Sequence, residues 1–257
     1  MSDIDDSKMP LLDHLIELRN RLLWSFAALA VAFAVCFYYA RPIFGVLVQP
    51  LLVAGQGKLI YTNIFEAFFT EVKVAFFAAT MVAFPVFATQ LWRFVAPGLY
   101  RNEKRAFMPF LLMTPVLFSL GACLAYFFAM PVALNFLLSF QGDVGGVNQE
   151  ALPGVGNYLS FVTTFIFGFG VSFLLPVLLM LLERAGIVTR QQLIDGRRYA
   201  IVGAFAIAAV LTPPDVVSQL LLAIPLCLLY EFAIIAIWFT QRRRDKQAAA
   251  EEVSEAT

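Results

Sequence analysis

The chain has 257 residues, of which 61% are hydrophobic and 14% charged, and its formal net charge is zero. Soluble domains are about half apolar and about a quarter charged, so a mean hydropathy of +0.80 excludes an ordinary soluble domain. The neutral balance carries no nucleic-acid footprint, and what remains is a polytopic membrane protein in contact with the lipid bilayer.

The acidic start (Asp3, Asp5, Asp6) lacks the basic-then-apolar order and cleavage site of a signal peptide, so the first span is expected to be retained. An amphipathic helix is predicted over about 10–22. Pro10 sits where a first-turn proline is tolerated. Leu11, Leu12, Leu15, Leu18, Leu22 and Leu23 recur at helical spacing on one face, and Asp13, Glu17 and Arg21 follow each other four apart on the other. At this stage Glu17 has two readings. It is a wet group at the water–lipid boundary, or it pairs with Arg21 one turn later for about 0.2–0.5 kcal/mol.

A hydrocarbon core of about 30 Å takes roughly 20 apolar residues in a helix. Spans are predicted at about 22–40, 74–95, 107–130, 158–182, 199–211 and 217–240. The last two are read as short; 199–211 reaches only about 20 Å at 1.5 Å per residue. Loop charge supports six spans over five. Arg19 and Arg21 precede the first, and Arg101, Lys104 and Arg105 follow the second. Arg184, Arg190, Arg197 and Arg198 follow the fourth, and Arg242, Arg243, Arg244 and Lys246 follow the last. The segment 131–157 holds no Lys or Arg, and 41–68 holds only Arg41 and Lys58. Six spans put every basic segment on one face, which the positive-inside rule makes cytoplasmic together with both termini. The fold expected is an all-α integral membrane protein, one domain over 1–240, with a polar tail at 241–257 expected to be cytoplasmic and mobile. Pro85, Pro109, Pro115, Pro131, Pro176 and Pro225 fall in or near spans two to six and predict kinked helices forming a concave wall.

Catalytic chemistry is missing. The only histidine is His14, and no HExxH motif, Walker-type loop or nucleophile–base set can be assembled. No catalytic residue, metal ligand or cofactor is assigned. Cys36, Cys123 and Cys227 stand singly in apolar runs and read as small buried hydrophobes. Glu231 is the clearest ionisable group inside a span, a functional candidate by default, or a solvated group near the cytoplasmic end. A proton-coupled solute transporter would show more such groups near the midplane and paired broken helices. A structural membrane scaffold is the other rival.

Four motifs then combine: His14-Leu-Ile-Glu17-Leu-Arg19 before span one, Trp92-Arg-Phe94-Val-Ala-Pro97-Gly-Leu99-Tyr100 with Glu103 after span two, Tyr158-Leu-Ser-Phe161 opening span four, and Leu211-Thr-Pro-Pro-Asp215 with Gln219 at the last turn. Together, over about Pro10 to Phe239, they closely resemble TatC, the multi-spanning core subunit of the twin-arginine protein translocase. The resemblance implies a non-enzymatic receptor for twin-arginine signal peptides in the bacterial cytoplasmic membrane. It also implies a hetero-oligomer of several copies with single-span TatA/TatB-type subunits, exporting folded proteins on the proton-motive force. Glu17 and Glu103 would form the carboxylate site for the arginine pair, with Arg19, Phe94, Pro97 and Leu99 around it. Thr212, Asp215 and Gln219 would form the polar patch for partner helices, and Pro50 matches a family position in the first outward loop. One departure is Leu174, where many members of the family carry Glu or Gln just before a Val-Pro or Leu-Pro step.

Overall fold

A computed structural model describes the backbone of residues 3–99, 104–212 and 214–255, with side chains over 15–94 and 111–242 apart from positions 144, 147, 148 and 213. Among the described residues, five helices are long and apolar enough to cross a membrane: Leu15–Tyr38, Glu66–Phe94, Leu111–Leu138, Val155–Arg184 and Val216–Arg242. The predicted fifth span corresponds to a helix of 15 residues, Arg197–Leu211, which is shorter than those five. The contacts divide the chain, read from the sequence as one membrane domain, into two compact units: Met1–Val116 with Gln141–Thr163, and Leu117–Phe140 with Thr164–Thr257.

In the first unit the amphipathic stretch and the first span form one helix, α1 (Asp3–Tyr38). It packs along α3 (Glu66–Leu99) through Cys36, Ala75 and Ala79, joined by Ala40 at the start of α2 (Ala40–Val53). Three of these four side chains are alanines, and small residues let apolar helices approach closely where lipid offers no hydrophobic drive of its own. Helix α2 is a correction to the sequence reading, which took 41–68 as loop. Two prolines, Pro42 and Pro50, fall in this stretch. Pro42 falls in the first turn, where its missing N–H costs nothing, and Pro50 lies buried inside the helix, one turn from its end. Trp92 on α3 donates its indole N–H to the Thr114 hydroxyl at 2.7 Å on α4 (Lys104–Leu124), a buried contact.

The segments after α2 and before α6 in this unit are tied together. Ile60 pairs with Gly154 in a parallel bridge, with Ile60 N–H donating to Pro153 at 3.2 Å and Val155 N–H to Ile60 at 3.0 Å. Gln56 donates its amide to the Ala151 carbonyl. Glu66 gathers four donors: Gly156 N–H at 2.6 Å, the Thr62 hydroxyl at 2.9 Å, Asn63 N–H at 3.3 Å and Thr62 N–H. A Cβ on Gly156 would stand 2.8 Å from that carboxylate, so glycine lets α6 (Val155–Ser172) begin against Glu66. The all-α expectation needs one amendment here: β1 (Gly142–Val144) and β2 (Val147–Gln149) form a small antiparallel hairpin. Its two-residue turn, Gly145-Gly146, has φ of +66° and +88°, a pair of values that glycine adopts without strain. Glu66→Ala is expected to free Gly156, Thr62 and Asn63. Proteolysis of the 142–154 segment and amide exchange at Gly156 should speed up while helix content stays unchanged; equal protection in both proteins would show that the clasp is idle.

In the second unit, two proline sites interrupt helices. Pro131 opens α5 (Met130–Leu138), directly after a π-helical turn at Ala125–Ala129. Widening the turn there relieves the clash between a proline ring and the carbonyl four residues back. Pro176 sits at the start of α7 (Leu175–Arg184), and the carbonyl it cannot engage belongs to Ser172, the last residue of α6. The backbone steps across by a three-residue bond, Leu174 N–H to Val171 at 3.0 Å. A short helix α8 (Arg190–Asp195) starts at a capping box in which Thr189 accepts from Gln192 N–H at 3.2 Å and Thr189 N–H donates to the Gln192 side chain at 2.8 Å. Helices α9 (Arg197–Leu211) and α10 (Val216–Glu255) follow. Leu179, Leu193, Ala233, Ile234 and Ile237 form the local core between α7, α8 and α10.

The last span is therefore not short: its apolar part, Val216–Arg242, has 27 residues, enough for about 40 Å at 1.5 Å per residue. The helix also runs on to Glu255, since alanine, glutamate and glutamine in the tail are strong helix formers whether or not they pack against anything. The same physics lengthens the other helices beyond the predicted apolar runs. Leaving the lipid does not end a helix; a cap, glycine or proline does. Of the cysteines, Cys36 is buried, Cys227 half-buried and Cys123 exposed, so only the first matches the buried reading.

Candidate functional site

Glu17 lies on α1, and its Oε1 accepts from Arg21 Nε at 2.9 Å and from Arg21 Nη2. The local pairing anticipated from the i,i+4 spacing is thus formed, with the Glu17 side chain 36% exposed. The pair borders a cavity of about 510 Å³ lined by Ile16, Glu17, Asn20, Arg21 and Trp24 from α1 and by Gln90 and Arg93 from α3. The cavity carries one carboxylate and two guanidinium groups. Arg21 is committed to Glu17, and Arg93 is exposed with no hydrogen-bond or ion-pair partner among the described residues. Trp24 and Gln90 also line a second, apolar cavity of about 600 Å³ that follows the same two helices through Ala28, Val31, Val35, Val82 and Val86.

Arg19 is exposed on α1, and Phe94 is half-buried near the end of the described part of α3. Pro97 and Leu99 belong to the α3 backbone, but their side chains lie outside the described residues, as does the whole of Glu103. Pro50 is buried in α2, and its carbonyl accepts from Ala54 N–H at 3.1 Å.

The second predicted patch gathers at the α9–α10 turn. Thr212 is buried and donates its hydroxyl to Ala208 at 2.8 Å. Asp215 caps α10 by accepting from Ser218 N–H at 2.7 Å. Gln219 donates to the Phe205 carbonyl at 3.3 Å. The structure adds Ser218, which sequence reading missed: it is fully buried, and among the described residues neither its hydroxyl nor Asp215 Oδ2 has a hydrogen-bond partner. The available signal was its place three residues after a capping aspartate.

Glu231 accepts from Arg197 Nη2 at 2.8 Å, with both side chains nearly half exposed. Arg197 is the first residue of α9, so this carboxylate is paired with a cation at the helix start. Leu174 is half-buried in the break between α6 and α7.

A family model described as "TatC: Sec-independent protein translocase protein (TatC)" matches residues 13–225. The chain belongs to the TatC family. Among relatives, a Sec-independent protein translocase protein TatC of Magnetococcus marinus is 49% identical over 249 residues, covering 96% of this chain and 90% of that protein. The Aquifex aeolicus relative of the same name is 41% identical over 245 residues, covering 94% of this chain and all of the relative. A crystal structure of the twin-arginine translocase receptor TatC aligns with a TM-score of 0.77 and 41% identity, covering 89% of this chain and 99% of the solved one. With its apolar helices, membership makes the chain a multi-pass membrane protein and a component of a Sec-independent protein translocase, a transport protein rather than an enzyme.

Proposed function

We propose that the chain is the signal-peptide receptor and core subunit of a twin-arginine translocase, exporting folded proteins across the bacterial cytoplasmic membrane on the proton-motive force. The observation that carries this is the rim of the α1–α3 cavity, where Glu17 stands beside a polar cleft that leads into an apolar one. A signal peptide has that same order, cationic then apolar. Glu17 and Glu103 each grip one arginine of the pair, because a carboxylate holds a guanidinium fork bidentately and holds an ammonium only as a point charge. Arg19, Phe94, Pro97 and Leu99 form the surface around them, and Pro50 supports the outward loop.

Both termini face the cytoplasm and α9 makes a sixth, short crossing. Its 15 residues span about 22 Å. They open on Arg197-Arg198, with the Arg198 guanidinium 4.7 Å from the centre of the Tyr199 ring, an interfacial anchor. Single-span TatA/TatB-type partners dock at the α9–α10 turn marked by Thr212, Asp215 and Gln219, where Gln219 reaches the Phe205 carbonyl. The complex holds several copies of each subunit.

The test is equilibrium binding of a synthetic signal peptide to the purified protein in detergent, comparing an Arg-Arg form with a Lys-Lys form. The Arg-Arg form is expected to bind at least tenfold tighter. Equal binding overturns the carboxylate site.

A further inference from the structure

Helix α1 is apolar over Leu15–Tyr38, yet only 6% of its most apolar window is buried. Most of its surface is left to lipid, and one strip of it is not convex. Between α1 and α3 the apolar cavity of about 600 Å³ is walled by Trp24, Ala28, Val31, Val35, Val82 and Val86. From Trp24 to Val35 it extends about 16 Å along the helix, close to half of a hydrocarbon core of about 30 Å. That is the depth of one leaflet, the reach of one acyl chain. The polar cavity at its upper end shares Trp24 and Gln90 with it. There the Glu17–Arg21 pair is internally neutral, and Arg93 remains as an exposed cation with no hydrogen-bond or ion-pair partner among the described residues.

We infer that this composite groove is a phospholipid site, with the lipid phosphate on Arg93 and one acyl chain lying between α1 and α3. Charge complementarity selects this occupant. A glycerophospholipid places a single phosphate charge directly above its chains, matching one guanidinium, uncommitted among the described residues, above an apolar slot one leaflet deep. Glu17 lines the same cavity, its Oε2 accepts no hydrogen bond among the described residues, and its carboxylate suits the ammonium of an ethanolamine headgroup. Asn20 and Gln90 supply neutral donors. The site does not depend on the peptide reading; a twin-arginine peptide entering the same cleft would displace the lipid.

The test uses the full-length protein in a mild detergent that strips annular lipid, with lipid retention read by native mass spectrometry. The probes are phosphatidylethanolamine and the diacylglycerol of the same chains. The wild type is expected to retain one phosphatidylethanolamine at least fivefold more than the diacylglycerol. Arg93→Gln should erase that preference, and Ala28→Phe, which fills the slot on the lipid-facing side of α1, should lower retention of both. Equal retention of the two lipids by the wild type overturns the proposal, as does unchanged preference in Arg93→Gln. Displacement of the lipid by an Arg-Arg peptide tests the shared cleft separately and bears on the peptide reading alone.

Discussion

Replacing Glu17 and Glu103 together with alanine is expected to abolish the preference for an Arg-Arg over a Lys-Lys signal peptide, weakening Arg-Arg binding by about a hundredfold. A hydrogen bond to a charged group is worth about 1.5–3 kcal/mol when partly desolvated, and each 1.4 kcal/mol is tenfold in affinity. Glu17 is 36% exposed, which pulls its share toward the low end. Two such sites still give about two decades. The opposing term is the Arg21 pair, which must open before a ligand arginine can take its place; exposed i,i+4 pairs are worth only about 0.2–0.5 kcal/mol, so the ligand wins. The same arithmetic gives a prediction of opposite sign. Arg21→Ala removes the internal competitor and should tighten Arg-Arg binding about twofold. Weakened binding in that variant would mean that Arg21 orients Glu17 rather than competes for it.

Gly121→Ala is expected to destabilise the protein although alanine is the better helix former. In an exposed helix the exchange gains about 1 kcal/mol. Here a Cβ on Gly121 would stand 2.6 Å from the Phe169 carbonyl oxygen and 2.8 Å from the Phe173 ring. Phe169 is fully buried, and a backbone carbonyl inside α6 cannot rotate away. Overpacking of this kind costs about 1–3 kcal/mol, and the first heavy atom already collides with backbone, so the upper half of that range applies and exceeds the propensity gain. The midpoint of thermal unfolding in detergent should fall by several degrees. Gly203→Ala is the control: it lies in α9 with nothing within 4 Å of the added atom, and should leave the midpoint unchanged or raise it. Equal behaviour of the two variants would mean that α4 and α6 do not meet at Gly121.

Much of the membrane character was legible because a span in lipid is a one-dimensional signal. The apolar runs at 22–40, 74–95, 107–130 and 158–182 each lie within a helical region of the structure. Their ends were less legible, since apolar composition marks where lipid stops and not where the helix does. Helix α2 was missed because Pro42 and Pro50 carry the same local signal in a loop and in the terminal turns of a helix; burial of Leu47 and Leu51 is what separates the two. Glu66 was missed too, although Thr62 and Asn63 followed by Glu66 carry a capping-box pattern. Its larger role, holding Gly156 ninety positions away, has no local trace.

By itself the sequence determined the family, through four motifs in order, and the solvent in which the chain folds, through long apolar runs that carry few charges. Only the tertiary structure decided what those motifs face. It joined Ile60 to Gly154, paired Glu231 with Arg197, held Gly156 on Glu66, and set Gly121 against a backbone carbonyl. The physical reason is range. Hydropathy and helix spacing act over one turn and survive without neighbours, whereas a partner dozens of residues away is chosen only when packing brings it within a few ångströms.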